Sequence, residues 1–109
     1  MKYFLSIGSN IEAIKNIDFA IYELRLILSN IEISSYYNNR AVGFEGDDFV
    51  NLVVAGYSNL DFEELNIKLK KIEDSSGRDR SAPKFSARTL DIDIVLQIDD
   101  DEILFESDE

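Results

Sequence analysis

The stretch from Leu90 to Leu96 constrains this chain more than any other. Leu90, Ile92, Ile94 and Leu96 alternate with Asp91 and Asp93. Residues two apart in a strand share a face, so this pattern sends the four apolar side chains one way and both carboxylates the other. The chain must therefore contain a sheet with one packed face and one face left for chemistry. Two carboxylates roughly 7 Å apart along a strand suit a hard cation such as Mg²⁺, which takes oxygen ligands and completes its shell with water and substrate phosphates. Asp-Ile-Asp on a solvated strand face is by itself ordinary.

What precedes the strand sharpens the reading. Arg78, Arg80 and Arg88 fall within eleven residues, in a chain with only 11 Lys+Arg against 22 Asp+Glu. Guanidinium groups bind phosphate oxygens bidentately and keep their charge, so arginines beside paired acids suggest phosphoryl transfer involving a nucleotide. The net charge of −11 disfavours general attraction to nucleic acid or anionic membrane, leaving a local basic cluster to catch any anion. The chain has neither cysteine nor histidine, which excludes thiolate and imidazole chemistry. Its short apolar runs resemble neither a signal peptide nor a membrane span, so the expected location is cytoplasmic.

In order, residues 3–7 read as a strand ending at Gly8-Ser9-Asn10, and Ile14, Ile17, Ile21, Leu24 and Leu28 predict an amphipathic helix over roughly 12–29. Strands follow at Glu32 to Tyr37 and Phe49 to Tyr57, separated by a long loop from Asn38 to Asp48. Asp61 and Glu64 form a capping-box signal for a second helix to about Asp74, which Gly77 can end with a positive φ. The Arg78 to Ala87 loop and the Asp91/Asp93 strand come next, and then an acidic turn with a small edge strand at 103–105. The order βαββαβ predicts an α+β, ferredoxin-like sandwich in one domain, residues 1–109. Four antiparallel strands in the order 4-1-3-2 would carry both helices on one face. The other face stays open, and self-association through it or through an edge strand is expected.

Gly77-Arg78-x-Arg80, Phe85, and Arg88-Thr89-Leu90-Asp91-Ile92-Asp93-Ile94 together resemble the signature of the 6-hydroxymethyl-7,8-dihydropterin pyrophosphokinases of folate biosynthesis. Ile7-Gly8-Ser9-Asn10, Val42-Gly43 and Asp48-Phe49-Val50-Asn51 resemble that family's other landmarks, in the same order. The resemblance implies a transferase that moves pyrophosphate from ATP to a reduced pterin. It implies Asp91 and Asp93 as ligands of two Mg²⁺ ions, and Arg78 and Arg88 as catalytic and phosphate-binding. Arg80, Arg88 and Glu73 would serve ATP, while Asn51, Phe49, Val42 and Gly43 would hold the pterin. ATP and pterin are then the partners, with no nucleic acid or membrane.

The sequence also departs from the family pattern. Phe85 stands where the family commonly has tryptophan, and Asn38-Asn39-Arg40-Ala41 replaces a proline-containing run. Family members continue past the equivalent of residue 109 with a histidine-bearing segment, further arginines and a second aromatic. The expectation is a domain lacking that C-terminal segment, with weak nucleotide binding and slow or absent turnover. Two alternatives are a non-catalytic pterin- or nucleotide-binding module derived from the enzyme, and a structural domain whose open face pairs with another chain.

Overall fold

The computed structural model describes residues 1–39, 49–77 and 90–108. Its elements are β1 (Lys2–Ser9), α1 (Ala13–Ile27), β2 (Ser29–Ile33), β3 (Tyr37–Asn39), β4 (Phe49–Tyr57), α2 (Phe62–Ser75), β5 (Asp91–Asp99) and β6 (Glu102–Glu106). The fold is α+β, with one antiparallel sheet in the order β2-β4-β1-β5-β6 and β3 also paired to β4. Strands β2, β4, β1 and β5 follow the expected order, but the sheet has six strands rather than four.

Both added strands have local causes. The run expected as one strand from Glu32 to Tyr37 is divided: β2 ends at Ile33 and β3 starts at Tyr37, and both lie along β4. Ser34 bridges the break, its N–H donating to the Val53 carbonyl at 2.9 Å and its Oγ accepting from the Val53 N–H at 2.8 Å. At the other edge, β5 and β6 form a hairpin whose two turn residues, Asp100 and Asp101, have φ of 47° and 67°. Two consecutive positive φ values are the pattern of a type I′ turn, whose twist matches that of its strands, and aspartate tolerates that region better than most residues.

The helices are built as their sequences dictate. Asp61 accepts from the Glu64 N–H at 2.9 Å while the Glu64 carboxylate accepts from the Asp61 N–H at 3.2 Å, a reciprocal cap at the start of α2. Gly77, with φ of 89°, follows its C-terminus. Ile17, Ala20 and Leu24 from α1 and Leu65, Leu69 and Ile72 from α2 share one core cluster with Tyr3, Leu5, Ile7, Leu52, Val54, Ile92 and Ile94. Both helices therefore cover the same face of the sheet. Among the described residues no helix is long and apolar enough to cross a membrane.

One expectation about β5 is corrected. Leu96 does not share the packed face of Leu90, Ile92 and Ile94. Leu5 pairs with Ile94 and Phe4 with Leu96, so Val95 has no partner on β1 and forms a bulge. A bulge inverts the alternation beyond it. Gln97, partner of Tyr3, consequently lies on the helix side and is buried. The buried Tyr3 hydroxyl donates to the Leu60 carbonyl at 2.6 Å and accepts from Gln97 Nε2 at 3.1 Å.

Candidate active site

The open face is laid out in cross-strand rows. Gly8 pairs with Asn51 on one side and Asp91 on the other, and Asn51 pairs with Tyr37. Partners in an antiparallel register point to the same face. One row thus runs Tyr37, Asn51, Gly8, Asp91. The next row sets Ser6 between Val53 and Asp93. The two aspartates expected from the alternation do face outward together, and Asn51 lies two strand spacings, about 10 Å, from Asp91.

Gly8 has a specific job here. A Cβ on it would come within 2.7 Å of Asn51 Oδ1 and 3.9 Å of Phe49 Cδ1, so the Asn51 amide lies over the bare Gly8 backbone with the Phe49 ring beside it. Phe49 and Asn51 are both half-buried, and the Asn51 amide donates to the Phe49 carbonyl at 3.5 Å. A flat ring next to an amide with donors and an acceptor is suited to a polar heterocycle.

Beyond Asp91 and Asp93 lies an edge of β5 that β6 does not reach, since β6 pairs only with residues 96–99. Helix α2 closes it with side chains. Glu73 accepts from the Ile92 N–H at 2.7 Å, and Lys70 donates to the Ile92 carbonyl at 3.2 Å. Lys70 also bonds Glu73 Oε2 at 3.0 Å and Asp93 Oδ1 at 3.4 Å. Glu73, expected from resemblance as an ATP-site acid, is fully buried with its carboxylate committed to the strand edge. Lys70, which no sequence signal singled out, links that buried acid to the outward-facing Asp93.

Asp91 and Asp93 fit a hard cation. They are oxygen donors on one strand face, and half of the Asp93 side chain is open to solvent. Among the described residues no group of three or more potential ligand side chains gathers, so substrate and water oxygens would complete the shell. Arg78, Arg80, Arg88, Val42 and Gly43 lie outside the described residues. Ser6, Gly8 and Tyr37 are members of the rows that sequence reasoning did not assign. Only Gly8 carried a signal, within Ile7-Gly8-Ser9-Asn10.

With this geometry in hand, comparison with known proteins is informative. The family model for 7,8-dihydro-6-hydroxymethylpterin-pyrophosphokinase matches residues 4–104. A 2-amino-4-hydroxy-6-hydroxymethyldihydropteridine pyrophosphokinase of Aquifex aeolicus (strain VF5) is 37% identical over 99 residues, which are 89% of this chain and 61% of the relative. A protein of the same name from Synechocystis sp. is 37% identical over 95 residues, 84% of this chain and 48% of that protein. The matched part of the chain thus spans 61% and 48% of the length of these two relatives.

Proposed function

This chain belongs to the 7,8-dihydro-6-hydroxymethylpterin-pyrophosphokinase family, and from that membership we propose that its open face transfers pyrophosphate from ATP to 6-hydroxymethyl-7,8-dihydropterin. The observation that supports this reading is the Asn51, Gly8, Asp91 row, in which an amide on β4 and a carboxylate on β5 share the open face on either side of the bare Gly8 of β1. The architecture is a ferredoxin-like core extended by β3 and β6.

In this reading Asn51 pairs with the polar edge of the pterin while Phe49 lies against its ring, with Val42 and Gly43 completing the pocket. Asp91 and Asp93 hold Mg²⁺, two ions by family likeness, whose contribution is to neutralise phosphate charge. Arg78, Arg80 and Arg88 bind and orient the phosphates. The hydroxymethyl oxygen of the pterin bonds to the β-phosphorus and gives up its proton to solvent as the bond between that phosphorus and the α,β-bridging oxygen breaks, and AMP leaves. The side chains act by alignment and charge stabilisation, with no covalent enzyme intermediate. Glu73 contributes indirectly, by fixing the Ile92 segment between the two aspartates.

The test is AMP release from ATP by the purified chain. We expect release that requires both Mg²⁺ and the pterin and that disappears in the Asp91→Asn/Asp93→Asn variant. Binding of both substrates without any AMP would establish a binding module instead.

A further inference from the structure

Lys70 stands at a junction that edge closure alone does not require. Its ammonium meets the fully buried Glu73 at 3.0 Å, the Ile92 carbonyl at 3.2 Å, and Asp93 at 3.4 Å. An ammonium has three donors, and among the described residues these three acceptors share them. Two of the three belong to the fold. The third is a carboxylate that faces solvent, with half of its side chain exposed, whereas Lys70 is about one-third exposed and Glu73 not at all.

We propose that Lys70 is a positioning residue of the cation site, holding Asp93 while no cation is bound and withdrawing to Glu73 and the Ile92 carbonyl when a divalent cation takes that carboxylate. The inference rests on the reading of Asp91 and Asp93 as cation ligands. The bond to Asp93 is the longest of the three, and its loss leaves the ammonium with its shortest partner and a backbone acceptor. Without a cation, Asp91 and Asp93 would place like charges close together on one strand face, and Lys70 offsets that repulsion. With a cation bound, the ammonium is a like charge nearby. At roughly 4 to 6 Å in water the repulsion between a unit charge and a divalent cation lowers cation affinity about ten- to thirtyfold. Lys70 therefore keeps the site ordered while empty, at the expense of cation affinity.

The experiment uses Mn²⁺ as an electron paramagnetic resonance probe on the whole chain. Lys70→Met alone would strand the buried Glu73 carboxylate, so Glu73→Gln serves as the reference. Its amide oxygen can still accept from the Ile92 N–H. We expect Lys70→Met/Glu73→Gln to bind Mn²⁺ about ten- to thirtyfold more tightly than Glu73→Gln, and Lys70→Arg/Glu73→Gln, which retains the charge, to match the reference. In the unaltered chain, the nitrogen-15 ammonium signal of Lys70 should move on Mg²⁺ addition with the midpoint of cation binding. Equal Mn²⁺ affinities in the Met and reference variants, or an ammonium signal that Mg²⁺ leaves in place, would overturn the inference while sparing the cation site. Failure of the unaltered chain to bind Mn²⁺ would overturn both.

Discussion

The two ends of the open sheet face use the same strands for opposite purposes. Outward positions of β1 run Lys2, Phe4, Ser6, Gly8, from bulky to bare. At the Gly8 end the small residues leave room for Asn51, Asp91 and Asp93. At the Lys2 end Phe4 and Tyr57 fill the surface under the Lys2 ammonium, which lies 5.2 Å and 5.6 Å from their ring centroids. There Tyr57, Ile98 and Asp99 to Asp101 help to line a hollow of ≈ 520 Å³. Aromatic bulk covers the sheet at the Lys2 end, and its absence leaves the Gly8 end to polar side chains. The bulge at Val95 marks the boundary on β5, because aspartates face outward before it and Leu96 and Ile98 after it.

The largest expected effect breaks the polar end outright. Asp91→Asn/Asp93→Asn should reduce Mg²⁺-dependent nucleotide binding by orders of magnitude, read by calorimetry, while the fold persists with a loss of about 1 kcal/mol for the Lys70–Asp93 contact. Global unfolding of this variant would make the pair structural. Asn51→Ala comes next. Leaving ligand polar groups unpaired should cost about 1 to 3 kcal/mol of pterin affinity, and unchanged affinity would move the pterin elsewhere.

Gly8→Ala sharpens the contrast with less damage. The new methyl meets the end of a movable side chain, Asn51 Oδ1, and not backbone. The amide must turn aside, so pterin affinity should fall several-fold with stability within about 0.5 kcal/mol. Phe4→Ala is the matching probe of the other end. It should lower stability by about 1 kcal/mol through lost apolar cover and cation–π attraction and leave pterin affinity intact. Loss of pterin affinity in that variant would dissolve the distinction between the ends.

Much of this division was legible before any coordinates. Alternation at Leu90 to Ile94 gave the outward aspartates, and the spacing of Ile17, Leu24, Leu65 and Leu69 gave two helices on one face. Those signals are periodic, so they survive in a bare sequence. The bulge at Val95 was not legible, because one unpaired residue changes phase without changing composition, and Leu96 was consequently assigned to the wrong face. The acidic turn and the small edge strand after it are legible as well, while the positive φ of Asp100 and Asp101 is not, since aspartate marks solvation and positive φ alike. Lys70, and the bonding of Glu73 to the strand edge, are hidden for another reason. Their roles depend on where β6 stops along β5, and only tertiary structure specifies that.

A last substitution, remote from the open face, tests what fixes the phase beyond the bulge. Gln97 is held inward by the Tyr3 hydroxyl, and burial raises the Tyr3 pKa above its ordinary value of 10.0, with the Gln97 hydrogen bond opposing the rise. The buried form is the neutral phenol, whereas the unfolded chain ionises near the ordinary value. The stability this difference contributes is complete below pH 10.0. It is lost as pH rises from there through the higher folded-state pKa, because the unfolded state releases its proton first. Tyr3→Phe should cost about 1 kcal/mol at neutral pH through the lost bonds to Leu60 and Gln97. The same variant should also lose stability less steeply on the alkaline side. Urea unfolding of both proteins across that range gives the comparison, and titration of the other tyrosines cancels in the difference. Parallel alkaline curves would mean that Tyr3 ionises as freely in the folded chain as in the unfolded one, and that packing rather than the Tyr3–Gln97 bond sets the register after Val95.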